Sequence, residues 1–151
     1  MIWSGDHFYL IVINQKAKKV EIIDNLSLPE GITYDDKYKT FAERTFEAWT
    51  IFCEQEGHPL RKAQISAYEI VLLEMPWKNR TNKTDCGVYA MRHMETYKGN
   101  QTWNCGFKNT DEDKDFICKL RMRYGTEILL SVLNKRHELT YLALKRANQV
   151  E

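Results

Sequence analysis

At 151 residues, with 43% hydrophobic and 28% charged positions, the chain suits one soluble globular domain large enough to bury a core. Its 22 basic and 21 acidic residues leave a formal charge of +1, which gives no overall field to gather nucleic acid or an anionic membrane surface. No apolar run approaches the roughly 20 residues a spanning helix needs.

Met1 to Leu10 lacks the basic start and apolar middle of a signal peptide. The expected compartment is therefore intracellular, and Cys53, Cys86, Cys105 and Cys118 are expected as reduced thiols. The N-x-S/T sequons at Asn25, Asn79, Asn82 and Asn100 matter only in a secreted chain and are discounted. Cysteine and histidine spacings do not match a zinc site, so no structural metal is expected.

In chain order, "HFYLIVINQKAKKVEIIDNL" reads as two β-branched and aromatic runs, His7 to Asn14 and Lys19 to Asp24, joined by the polar Gln15 to Lys18. This predicts an antiparallel hairpin. From Asp35 to Gln55, the residues Tyr38, Phe41, Ala42, Thr45, Phe46, Trp49, Phe52 and Cys53 recur at three- and four-residue intervals. That pattern predicts a helix with one buried face, ending near Gly57 and Pro59. "AYEIVLLEM", Ala67 to Met75, predicts a third strand buried on both faces.

The polar "WKNRTNKT" leads to Asp85, a predicted N-cap, and to a helix carrying Val88, Tyr89, Met91 and His93 on neighbouring turns. Cys86 then falls in the first helical turn. A loop is predicted from Asn100 to Asp115, then a helical region from about Phe116 to Asn148, broken near Asn134 to His137. No repeat, low-complexity tract or linker divides the chain.

A cysteine attacks as its thiolate, and a helix N-terminus or a cationic partner stabilises that anion. Cys86 is predicted to have the first. A base is also needed, with an acid to orient it. His7 and Asp24, at the start of one hairpin strand and the end of the next, are the natural pair. Read alone, each residue has a plainer meaning. His7 is a polar residue opening a strand, Asp24 a turn former, and an isolated D-C-G occurs by chance. His93 lies two helical turns from Cys86, too far to serve as its base, and is expected to be packed or at the surface. His58 and His137 carry no assignable role. The aromatic stripe from Tyr38 to Phe52 reads as core, and the basic residues of "KLRMR" read as a solvated face.

The ordered set of His7, Asp24 and "TDCGVYAMRHME" resembles the His, Asp and Asp-Cys-Gly signatures of the ubiquitin-like-protein-specific (SUMO-specific) cysteine proteases, including the plant and transposon-associated members. "CKLRMRYGTEILLS" is similar to the arginine-containing helix near the end of that catalytic domain. The resemblance implies an α+β fold of the papain-like class, adenovirus-protease-like. It implies Cys86 as nucleophile, His7 as general base and Asp24 as its orienting acid. The implied reaction is cleavage of the peptide or isopeptide bond after the Gly-Gly end of SUMO or another ubiquitin-like protein, without a cofactor. The implied location is the nucleus rather than the cytoplasm.

Three positions depart from the family. Arg80 stands where a glutamine normally binds the oxyanion, which makes Arg80 and Asn82 the candidate side-chain donors. Phe8 replaces the usual tryptophan after the histidine, and Phe8 and Trp77 are the candidate aromatics of the substrate channel. Only six residues precede His7, where the family has a substantial segment. The chain is thus expected to be an N-terminally truncated, partial catalytic domain with apolar surface left exposed on the hairpin and near Trp49. Two other functions fit the same residues: a non-catalytic module that binds a ubiquitin-like protein or another partner, and a mobile-element remnant that does not fold alone.

Overall fold

The computed structural model describes residues 1–4, 7–58, 68–78, 82, 84–100 and 102–147. The chain divides into two compact units, Met1–Thr110 and Asp111–Glu151.

In the first unit, strands β1 (Ile2–Ser4), β2 (His7–Asn14), β3 (Lys19–Ile23) and β4 (Glu69–Leu72) form a mixed sheet in the order β1-β2-β3-β4. The predicted hairpin is β2 and β3, antiparallel, with Leu10 opposite Ile23 and Asn14 opposite Lys19. Its turn is closed by Ala17, whose N–H donates to Asn14 Oδ1 at 3.0 Å, while Lys18 takes the left-handed conformation at φ 55°. β1 adds three residues antiparallel to β2, too short a run to signal a strand in sequence.

β4 pairs with β3 in parallel. A parallel neighbour requires a crossover, and the intervening chain supplies one. It contains a π-helical turn (Asp35–Lys39) running into helix α1 (Thr40–Gln55). Gly57, at φ 63°, stops α1: the His58 N–H reaches back to the Cys53 carbonyl at 2.9 Å, a left-handed glycine cap.

The third strand is the one whose burial departs from expectation. β4 lies at the sheet edge with its residues half-buried or exposed, whereas Val20, Glu21, Ile22 and Ile23 of β3 are all buried. β3 lies between β2 and β4, and is covered on both sides. Ile22 joins Tyr9, Tyr38 and Ala42 in a core cluster on one face, while Glu21 accepts the Tyr97 hydroxyl at 2.6 Å.

Helix α2 (Cys86–Thr96) packs along β2 and buries Val88, Tyr89, Ala90 and His93. The predicted stripe, over the π-helical turn and α1, is buried at Tyr38, Ala42 and Cys53, but Phe41 and Phe52 are exposed. Residues spread over so wide an arc cannot all face one layer.

The second unit holds helices α3 (Asp113–Leu130) and α4 (His137–Ala147). The predicted break falls between them, where Asn134 donates to the Leu129 carbonyl and accepts from the Arg136 N–H. Ile117, Leu120 and Tyr124 are buried; Lys119, Arg121 and Arg123 are exposed, as a solvated basic face requires. Among the described residues no helix is long and apolar enough to cross a membrane. The described elements make an α+β fold.

Candidate active site

The site starts from the hairpin register. Continuing it past Leu10 and Ile23 puts Asp24 opposite Tyr9 and diagonal to His7, within reach of a long side chain on the same face. His7 Nε2 lies 2.7 Å from Asp24 Oδ1, both groups buried. Asp24 also closes a turn by accepting the Leu26 N–H at 2.8 Å, so the two readings of this residue hold together.

The other oxygen, Oδ2, accepts the Tyr38 hydroxyl at 2.6 Å and the Lys37 ammonium at 2.9 Å. Burial alone raises the pKa of the Asp24 carboxyl. The hydrogen bonds from His7 and Tyr38 and the Lys37 charge outweigh burial and hold it at about 2. An ionised carboxylate only accepts hydrogen bonds, so the proton of neutral His7 sits on Nε2 and Nδ1 carries a lone pair. Nδ1 is buried and, among the described residues, has no hydrogen-bond partner. A neutral His7 held this way has a lone pair on Nδ1 able to accept a proton.

Cys86 is the first residue of α2 and is 6% exposed. Contacts along α2 and β2 fix which ends meet. A Cβ built on Gly87 would lie 3.8 Å from Phe8 Cδ2, so the residues after Cys86 and after His7 touch. Farther along, His93, Met94 and Tyr97 line one hollow with Leu10, Ile11 and Val12, and Asn14 Nδ2 donates to the Gly99 carbonyl at 3.1 Å. Strand and helix run start beside start and end beside end. The thiol-bearing end of α2 therefore lies at the His7 end of β2.

Asp85 occupies the N-cap position and its carbonyl accepts the Tyr89 N–H at 3.0 Å, but its side chain makes no capping bond. Instead its carboxylate accepts Asn82 Nδ2 at 2.8 Å, and its N–H donates to Asn82 Oδ1 at 3.0 Å. Asn82, a candidate oxyanion donor, thus braces the chain immediately before Cys86. Arg80 and Asn79 lie outside the described residues.

Trp77, a candidate channel aromatic, is a buried residue. It is 5% exposed and packed in an aromatic cluster, edge-on to Trp103 at 5.0 Å, with its indole N–H donating to His93 Nε2 at 3.1 Å. Its partners come from residues far along the chain, which is why the polar loop around it gave no sign of burial. Phe8 is half-buried against Gly87. His93 is packed, as expected, and burial pulls its pKa down to about 4, partly countered by the Asp24 charge. No disulfide joins the four cysteines. Asn25, one of the sequon asparagines, is 1% exposed and closed to modification in the folded state.

Sequence reasoning missed Lys37 and Tyr38 as partners of Asp24. Helical periodicity registered only the apolar ring of Tyr38, not its hydroxyl. No protein-family model, curated protein or solved structure matches this chain.

Proposed function

We propose that the chain is a cysteine peptidase of the papain-like, adenovirus-protease-like class, with Cys86 as nucleophile, His7 as general base and Asp24 as the orienting acid. The observation that carries this reading is the His7 ring: Nε2 is tied to an ionised, fully buried carboxylate, and Nδ1 is left without a partner among the described residues at the start of β2, beside the start of α2.

In the proposed reaction, His7 Nδ1 takes the Cys86 thiol proton as sulfur attacks the scissile carbonyl carbon. The carbonyl π electrons move onto oxygen. Backbone N–H groups of the first turn of α2, with Arg80 or Asn82, supply the donors to that oxyanion. The imidazolium then passes its proton from Nδ1 to the leaving amine as the C–N bond breaks, which leaves a thioester on Cys86. Water attacks the thioester, giving a proton to Nδ1, and that proton returns to the departing sulfur. Asp24 stays a carboxylate throughout.

The proposed substrate is the Gly-Gly end of a SUMO-type ubiquitin-like protein, as a precursor or an isopeptide conjugate, and the proposed location is nuclear. Both rest on the resemblance of the His, Asp and Asp-Cys-Gly signatures. Purified protein is expected to process a SUMO precursor, with turnover falling about 10⁴-fold or more in Cys86→Ser. Full turnover in Cys86→Ser rejects the assignment. Saturable SUMO binding with no turnover by the wild-type chain makes the site a binding module instead.

A further inference from the structure

We propose that Lys37 and Tyr38 are positioning residues: the π-helical turn presents both donors to one oxygen of Asp24, so that the other oxygen fixes His7 with its proton on Nε2 and its lone pair on Nδ1. The assignment rests on the peptidase reading for its effect on rate, while its structural part stands without it.

Asp24 receives four donors, two on each oxygen. His7 Nε2 and the Leu26 N–H share Oδ1, and Lys37 Nζ and Tyr38 OH share Oδ2. The Oδ1 pair cannot set the carboxylate rotamer alone, because the Leu26 bond is local to the turn and the His7 bond is the one to be oriented. The Oδ2 pair comes from a separate element, 13 and 14 residues away in the chain. Tyr38 is itself held by packing: it is fully buried in the core cluster with Tyr9, Ile22 and Ala42, and its ring meets Tyr9 edge-on at 5.3 Å. The Lys37 ammonium lies 4.9 Å from the Tyr38 ring centroid, which holds the cation over a π face while it donates to the carboxylate.

Neighbouring residues of a helix usually diverge, yet here they converge on one atom. The convergence occurs within a π-helical turn, a form that is rare and frequent at functional sites. Among the described residues, two further titratable groups feel the Asp24 charge: Tyr9, whose buried hydroxyl makes no hydrogen bond there, and His93 on α2. Neither holds the carboxylate in place. Loss of the Oδ2 donors therefore leaves a buried carboxylate free to rotate or to take up a proton. A protonated or rotated Asp24 no longer requires the proton on Nε2.

The test reads the His7 tautomer directly by long-range ¹H–¹⁵N correlation of the imidazoles. The chain has four histidines, and His7 is assigned by its loss in His7→Gln. Tyr38→Phe keeps the ring and the core volume, and Lys37→Met keeps the stem, so each variant removes one donor without opening a cavity. Wild-type His7 is expected wholly as the Nε2–H tautomer. In Tyr38→Phe and in Lys37→Met the Nδ1–H form gains population, and Lys37→Arg restores the wild-type spectrum. SUMO-precursor turnover falls about tenfold or more in each variant, the effect of one hydrogen bond to a charged group, with KM little changed. A His7 that stays wholly Nε2–H in both folded variants overturns the proposal. A tautomer shift in a chain that processes no precursor even as wild type upholds the positioning role and rejects the peptidase reading.

Discussion

His7 and His93 sit at opposite ends of the packing between β2 and α2, both buried, and their ring nitrogens meet opposite kinds of partner. At one end, Asp24 is an acceptor, so Nε2 of His7 must carry a proton and Nδ1 is left able to accept one. At the other end, the Trp77 indole can only donate, so Nε2 of His93 must be bare, inside a cage of Tyr89, Trp103 and Phe107. Burial disfavours charge on the His93 ring. At His7 a buried carboxylate is hydrogen-bonded to the ring itself, whereas the Asp24 charge only partly counters burial at His93. On the proposed reading, the partner of each ring decides which one exchanges a proton, and the two ends divide function from stability.

The largest effects that sharpen this division come from exchanging the two histidines' fates. His7→Ala is expected to lower precursor turnover about 10⁴-fold or more even when counted per folded molecule. His93→Leu leaves kcat per folded molecule within a few-fold but destabilises the chain by about 2–3 kcal/mol, since it strands the buried Trp77 N–H. Equal loss of turnover in the two variants, measured on folded protein, breaks the comparison.

Next in size is a pH dependence. The His93 pKa is depressed from 6.5 to about 4, so the unfolded chain binds a proton that the folded one refuses across that interval. Stability from this group is complete above about pH 6.5 and is lost as pH falls towards 4, by about 3 kcal/mol in all. Asp24 follows the same sign in a lower window, its contribution of about 2 kcal/mol disappearing between about pH 4 and pH 2. Urea titrations at successive pH values should show the upper decline in the wild type and not in His93→Leu. Persistence of that decline in the variant assigns it elsewhere.

The smallest effect isolates the Cys86 end. Asn82→Ala removes both bonds to Asp85 and is expected to cost about 1 kcal/mol of stability, with the near-ultraviolet circular dichroism of the Trp77–Trp103 cluster unchanged. A changed cluster signal would show that the two ends are not independent.

How much of this was legible in the sequence follows from which signals are local. The β2–β3 hairpin was readable because two β-branched and aromatic runs flank a four-residue polar segment, and the register then carries His7 to Asp24. The start of α2 at Cys86 was readable from the switch to helical spacing after a polar loop. Strand order was not: an aliphatic run such as Glu69–Leu72 looks alike at the centre or edge of a sheet, and here it is at the edge. Glu21 was equally opaque, since a buried carboxylate on a strand makes sense only once Tyr97, 76 residues on, arrives to meet it. Trp77 and the Lys37–Tyr38 pair were hidden for the same reason. Periodicity reports which face is apolar, not which polar tip finds a partner from another element.

The most direct test of the central claim is reaction of the folded protein with a SUMO whose C-terminal carboxylate is replaced by an electrophile, read by intact mass beside Cys86→Ala and His7→Ala. The account predicts a single covalent adduct in the wild type, none in Cys86→Ala and a slowed one in His7→Ala. No adduct from a folded wild-type chain, or an adduct that persists in Cys86→Ala, would contradict it.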